Sequence, residues 1–461
     1  RTPGLPARPS GGSVVATSNM PPLPSTRCQT PLQSGNSSAS DGGPANNRTE
    51  NRMRRIHITV NSPNADIMHE NRHTAERTNS RTGGDFMRSV IRTAFCALVL
   101  AGSQAFAQDI VEPFKVGTFE IDGHPTIGIV LRDSLIIELD RANDELERQT
   151  RYPAVPMPND MTALIERYEY GLKRRLYELV NDHVENDRLE ADYVHDVDAV
   201  RTLPPIMYPG KILNAAVNFY SHVQEAGSEA ERQEARRLRR ENRGVPYLFL
   251  KPSRGAVVGN GAEIVIPYGR NRTDWEVELG AVIGKTAKYV SANDAEDHIF
   301  GYMVTLDISD RGGRPPGGNP LRSDWFVGKG HDTFAPQGPW IVPKEFYGNP
   351  MEILRQSLSV GEEQMQEATA GDMIHSLWEL VEYGSSIITL FPGDVINNGT
   401  SGGVGMGTAV RGEQRYLQPG EVVRATIDGI GTLEMPDDGE DKPAGLTGAE
   451  LPPVDTYRDP L

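Results

Sequence analysis

Cysteine is nearly absent from this 461-residue chain, which carries only Cys28 and Cys96. Two thiols this far apart supply neither a disulfide framework nor the closely spaced thiolates of a structural zinc site. Apolar residues are also scarce: hydrophobic side chains make up 37% of the sequence and aromatic ones 7%. That is low for a chain with room for two or three domains, so part of it lies outside any folded core. No apolar run approaches the about 20 residues that a membrane-spanning helix needs. Lysine is missing altogether from residues 1–86, where Arg, Ser, Asn, Pro and Gly dominate and no helical or strand period is sustained.

From Met87 the chain reads MRSVIRTAFCALVLAGSQAFAQD. Two arginines, a short apolar centre and Ala105-Phe106-Ala107 before Gln108 are the layout of a secretory signal peptide over 87–107. Ser103 stands where a lipoprotein would need cysteine. This predicts an exported protein, periplasmic or secreted, with residues 1–86 lying upstream of the true start; the alternative is a native disordered extension. Processing after Ala107 would remove four net positive charges with 1–86, then Arg88 and Arg92, taking the formal net charge from −16 to −22. So acidic a mature chain suits neither nucleic acid nor an anionic membrane surface. Both cysteines leave with the same segments, and thiol chemistry with them.

The remainder is expected to be α+β and mostly β. Residues 108–203 form a small N-terminal domain: short strands from Phe114 to Asp140 with a turn at Asp122-Gly123, then polar helices between Asn159 and Val200. Prolines 204, 205 and 209 mark a linker, and a larger domain over 204–435 follows, with a polar tail at 436–461. Within that domain, residues 229–243 are dense in Glu and Arg. RRLRREN resembles a nucleic-acid patch, but interleaved with acids it reads as a salt-bridged surface helix. Residues 312–320 form a Gly/Pro-rich loop, a natural place for a gating segment.

The segment DWEVELGAVIGK (274–285) carries the first chemical signal. At period two, Trp275, Val277, Leu279, Ala281 and Ile283 share one face, while Glu276, Glu278 and Gly280 share the other. Two carboxylates on one strand face repel unless solvent or a cation lies between them, and a hard divalent metal gathers oxygens set this way. Two solvated glutamates on an outer strand would show the same pattern.

Further blocks decide between these readings. In order they are NFYSHVQE (218–225), FLKP (249–252), DWEVELGAVIGK (274–285), GYMVTLDISDR (301–311), Gly328-Lys329, GPW (338–340) and FPGDVINNGT (391–400), with Gln366 and Met373 between the last two. Together, over about residues 211–433, the chain resembles the fumarylacetoacetate hydrolase family. The resemblance implies a rolled mixed β-sheet catalytic domain, commonly a homodimer, with Mg²⁺ or Mn²⁺ held by Glu276, Glu278 and Asp307. Three oxygen ligands without His or Cys are what such metals prefer. The resemblance also makes His222 and Glu225 a catalytic pair; at this spacing the carboxylate can orient an imidazole that deprotonates water. It places Lys329 near the metal, where a cation can stabilise an enolate, and Tyr220, Lys251, Arg311 and Thr400 on the substrate side.

The sequence also departs from the family. Arg311 is followed by Gly312, Gly313 and Arg314 where a glutamine is usual, Asp310 adds a negative charge near the metal, and residues 404–420 look inserted. The implied function is hydrolytic cleavage of a carbon–carbon bond in a β-diketone or acylpyruvate-type keto acid through a metal-held enolate. Decarboxylation, tautomerisation or hydration of small keto acids on the same site is the alternative, and a keto-acid binding protein without turnover is a further one.

Overall fold

The computed structural model describes residues 110–149, 151–312 and 324–441. The signal-peptide stretch, the segment before it, Arg314 and most of the glycine-rich loop lie outside the described residues.

The N-terminal hairpin forms where the turn chemistry requires it. Strands Lys115–Ile121 and His124–Leu131 pair antiparallel. The connecting Asp122 and Gly123 both adopt positive φ, 51° and 77°, the geometry that matches the twist of the flanking strands. The helical stretch that follows is broken into Met161–Arg167 and Lys173–Glu185. Gly171 between them takes a φ of 115°, which interrupts a continuous helix.

A 12-stranded mixed sheet organises the rest. Its main path runs Val194–Asp196, Leu135–Glu138, His124–Leu131, Lys115–Ile121, Ala335–Pro343, Ile299–Leu306, Val277–Ile283, Val395–Asn397, Ile212–Ala215, Leu248–Lys251. The N-terminal strands therefore continue the same sheet through the pairing of Val116 with Ile341. Val277–Ile283 lies well inside this sheet, every residue buried. Trp275, Val277, Leu279 and Ala281 pack with Leu358, Val423 and Leu433 of a separate five-stranded sheet. On the opposite face Val282, Met303 and Ile341 pack with Leu164, Leu176 and Leu179 of the helices. Burial on both sides explains the apolar end of the segment. Glu278 and Gly280 stand on the same face as Val282, so the glutamates are interior residues and not the outer-strand pair that their spacing also allowed.

Ser228 caps the helix Glu229–Glu241 through a capping box with Glu231. No residue of this helix is buried, and Arg237 bonds Glu234 and Glu241 along its surface. It is the ion-paired surface helix that the charge pattern predicts. Among the described residues no helix is long and apolar enough to cross a membrane.

The strand Gly431–Gly439 extends into the polar C-terminal stretch and pairs there with Ile264–Ile266. It buries Asp437, whose two carboxylate oxygens have no hydrogen-bond partner in the protein. Burial, and then the charge of Glu421, push this carboxyl up to about 8. The folded state thus keeps a proton that the unfolded chain releases near pH 4, so the contribution of Asp437 to stability falls as pH rises from about 4 to 8. Asp437→Asn is expected to raise unfolding stability by about 1–3 kcal/mol at pH 8 and to have little effect at pH 4. Denaturant midpoints at the two pH values check this.

Candidate active site

Glu276, Glu278 and Asp307 arrive from neighbouring strands. The backbone N–H of Asp307 donates to the Glu276 carbonyl at 2.9 Å, just past the point where Val277 pairs with Leu306. Ligand oxygens from the three carboxylates then lie within 4.8 Å of one another, and all three residues are buried, at 3%, 1% and 1% exposure. So dense a cluster of buried negative charge needs compensation.

Most of it comes from basic side chains. Lys329, on the short helix Trp325–Lys329, donates to Glu276 Oε2 at 2.7 Å and to Asp307 Oδ2 at 2.5 Å. Lys251 donates to Asp307 Oδ1 and to the Ile308 carbonyl. Arg311 bridges Asp274, at 2.9 Å from its Nε, and Glu276. Burial alone would raise the Glu276 carboxyl, but Arg311, Lys329 and then His222 outweigh it and hold the carboxyl well below its ordinary range. Burial likewise opposes the charge on Lys329, and Asp307 and Glu276 more than restore it. For Lys251 burial prevails, and its ammonium is lowered to about 8.

Glu278 is different. Burial, Asp307 and Glu276 together push its carboxyl well above the usual range. Its polar contacts are neutral: Asn214 Nδ2 at 3.3 Å and the Gly399 backbone. The donor set fits a hard divalent cation on two counts. It offers only carboxylate oxygen, which suits Mg²⁺ or Mn²⁺. It also leaves Glu278 with no basic side chain bonded to it, Lys329 acting on it only through space, while each oxygen on Glu276 and Asp307 accepts one hydrogen bond and keeps a lone pair.

His222 closes the short 3₁₀ turn Tyr220–His222. Its Nδ1 lies 2.5 Å from Glu225 Oε1, and Glu225 Oε2 accepts the backbone N–H of Gly403 at 2.7 Å. The imidazole is thus oriented through one nitrogen and presents the other. It lies near enough to Glu276 for its charge to favour that carboxylate.

The other candidates are placed as follows. Lys251 and Arg311 belong to the carboxylate cluster. Thr400 is buried; its hydroxyl donates to the Val277 carbonyl at 3.0 Å and accepts from Gln366 Nε2 at 2.8 Å, which fixes the backbone between the two glutamates. Tyr220 opens the turn that His222 closes and is half-buried, with the Arg240 guanidinium 4.6 Å from its ring centroid. Asp310 does not add a free charge to the site: it is buried against Arg270, and the Gly312 N–H caps it at 2.7 Å. The negative charge that it brings is met by the Arg270 guanidinium.

Residues 211–436 match the family model described as fumarylacetoacetate (FAA) hydrolase, C-terminal. The chain is 34% identical over 228 residues, half of its length, to 2,4-didehydro-3-deoxy-L-rhamnonate hydrolase of a Sphingomonas species, and the match spans 73% of that protein. The chain belongs to the fumarylacetoacetate hydrolase family. It is therefore an enzyme, and the fold agrees. The fumarylacetoacetate hydrolase of Exiguobacterium antarcticum superposes with a TM-score of 0.53 at 24% identity, over 71% of this chain and all of that one. Maleylpyruvate hydrolase from Sphingobium sp. SYK-6, in complex with manganese(II) and pyruvate, superposes with a TM-score of 0.50 at 25% identity and the same coverage.

Within this family member, two features of the site escape sequence reasoning. Asp274 is wholly buried and receives the backbone N–H groups of Gly405 at 2.5 Å and Met406 at 3.2 Å while holding Arg311. Its signal was present, since it stands two residues before Glu276 and so continues the acidic alternation. The second is the turn at 403–407, which runs from Gly403 into the stretch 404–420 that looks inserted. It anchors Glu225 through Gly403 and Asp274 through Gly405, and a Cβ on Gly407 would collide with the Glu225 carboxylate.

Proposed function

We propose that this family member cleaves a carbon–carbon bond of an acylpyruvate-type acid by hydrolysis, with Mg²⁺ or Mn²⁺ as cofactor. The observation that carries the reading is an imidazole held by a carboxylate beside a buried cluster of three carboxylates, two of them bridged by Lys329. The manganese and pyruvate in the Sphingobium relative support it.

Glu276, Glu278 and Asp307 would hold the cation. When bound, it supplies Lewis-acid charge for the adjacent oxygens of a 2-keto acid. The chain's own residues account for the rest. His222, fixed through Nδ1 by Glu225, takes a proton from water at its other nitrogen. The hydroxide oxygen bonds to the distal carbonyl carbon, and the bond from that carbon to the methylene breaks. The electron pair leaves with the pyruvate fragment as an enolate, whose charge the Lys329 ammonium stabilises. Protonation at the methylene carbon, with the proton that His222 carries, gives pyruvate and the free acid.

The test is a lactate-dehydrogenase-coupled assay for pyruvate released from acetylpyruvate and from longer acylpyruvates. After EDTA treatment and desalting, activity is expected to fall by at least about 100-fold and to return with Mg²⁺ or Mn²⁺. Undiminished turnover by the chelated protein would end the metal-dependent reading. A metal-loaded protein that releases no pyruvate from any acylpyruvate would end the hydrolytic one.

A further inference from the structure

Glu276 and Asp307 are neutralised by full positive charges, whereas Glu278 is met by an amide. The difference reaches into the sheet. Gly280 pairs with Asn397, and Asn397 pairs in parallel with Asn214 on the next strand. The three positions therefore share the face that carries Glu278. Gly280 leaves room in this row: a Cβ there would stand 2.6 Å from Thr305 Cγ2 and 3.1 Å from Asn397 Oδ1. Asn214 and Asn397 are 0% and 2% exposed, and the Oδ1 atom of each has no partner in the protein.

Burying a bare amide oxygen is costly, so the orientation of Asn214 must be set by its other end. Nδ2 donates to Glu278 Oε2 at 3.3 Å. With a cation bound Glu278 is a carboxylate, and the flipped amide would then turn Oδ1 toward that anion, which repels it. Asn214 is a donor that orients Glu278 without bringing a charge. A lysine in its place would neutralise Glu278 and compete with a metal cation for it.

We propose that Asn214 is a positioning residue that holds the Glu278 carboxylate, the one member of the trio with no direct ion pair, as a ligand for the divalent cation. The inference rests on the reading of Glu276, Glu278 and Asp307 as metal ligands. The neutral amide fixes the direction of the carboxylate, and the cation supplies the charge that the cluster lacks. Partners that orient metal ligands in this way are typically worth roughly 10–100-fold in affinity.

Calorimetric titration of the metal-free protein with Mn²⁺, followed in parallel by Mn²⁺ electron paramagnetic resonance, tests this without recourse to turnover. Asn214→Ala is expected to weaken Mn²⁺ binding by roughly 10–100-fold. Asn214→Ser, whose hydroxyl is too short to reach Glu278, keeps the site polar should the alanine variant fold poorly, and is expected to weaken binding to the same extent. Asn397→Ala removes an equally buried amide from the same row that does not bond the carboxylate, and should change the affinity by less than about threefold. Unchanged affinity in the Asn214 variants, or equal losses at 214 and 397, would overturn the role of Asn214 and leave the metal site standing. A wild-type protein that binds no Mn²⁺ would overturn both.

Discussion

Alanine in place of His222 is expected to lower pyruvate release from an acylpyruvate by about two to four orders of magnitude, the usual worth of a positioned general base. The imidazole is the group with the geometry for the task. Its Nδ1 is taken up by Glu225 at 2.5 Å, Glu225 is itself held by the Gly403 N–H, and the remaining nitrogen is the one presented to a water. Glu225→Gln should show a smaller loss in the same direction, because the amide can still hold the ring but stabilises the imidazolium less. The result also separates this function from its alternatives. Decarboxylation of a β-keto acid or tautomerisation of an enol needs the same carboxylate cluster but no hydroxide. If His222→Ala retains oxaloacetate decarboxylation while losing acylpyruvate hydrolysis, the imidazole acts on water. If hydrolysis proceeds undiminished, the base is another group and the mechanism is wrong.

What could be read from the sequence follows the range of the interactions. His222 and Glu225 are three residues apart, so their pairing is a local matter and visible in the spacing. The alternation from Trp275 to Ile283 identifies a strand that is apolar on one face, and the structure places it inside the large sheet. The convergence of Asp307 on Glu276 and Glu278 depends on which strand pairs with which, and the family resemblance supplied that, not the spacing. Other features had no local trace. Lys251 reaches Asp307 across 56 residues, and the Gly405 N–H reaches Asp274 across 131. KILNAAV reads simply as a strand, because nothing local marks Asn214 as facing Glu278. The stretch 404–420 reads as an insertion because the work of its first residues is done by backbone amides, which every residue but proline carries.

Lys329→Ala is expected to separate two roles of one side chain. In the metal-free protein the ammonium bridges two buried carboxylates, at 2.7 Å and 2.5 Å. Removing one partner from a buried ion pair typically costs about 3–5 kcal/mol, because the charge left behind stays desolvated. The metal-free variant should therefore melt well below the wild type. Saturating Mn²⁺ should recover much of that loss, since the cation brings positive charge to the same oxygens and binds only the folded state. Catalysis should not recover with it. A preorganised donor aimed at developing oxyanion charge contributes about 2.7–4 kcal/mol, so kcat for hydrolysis should stay roughly 100- to 1000-fold down in the metal-loaded variant. Lys329→Met, which keeps most of the side-chain volume, should behave alike in both measurements and so exclude a cavity as the cause. A variant that melts low, is rescued by Mn²⁺ and turns over normally would make Lys329 a counter-ion alone, leaving the enolate to be stabilised elsewhere. A variant whose melting does not respond to metal would mean that the cation does not reach the oxygens that Lys329 now occupies.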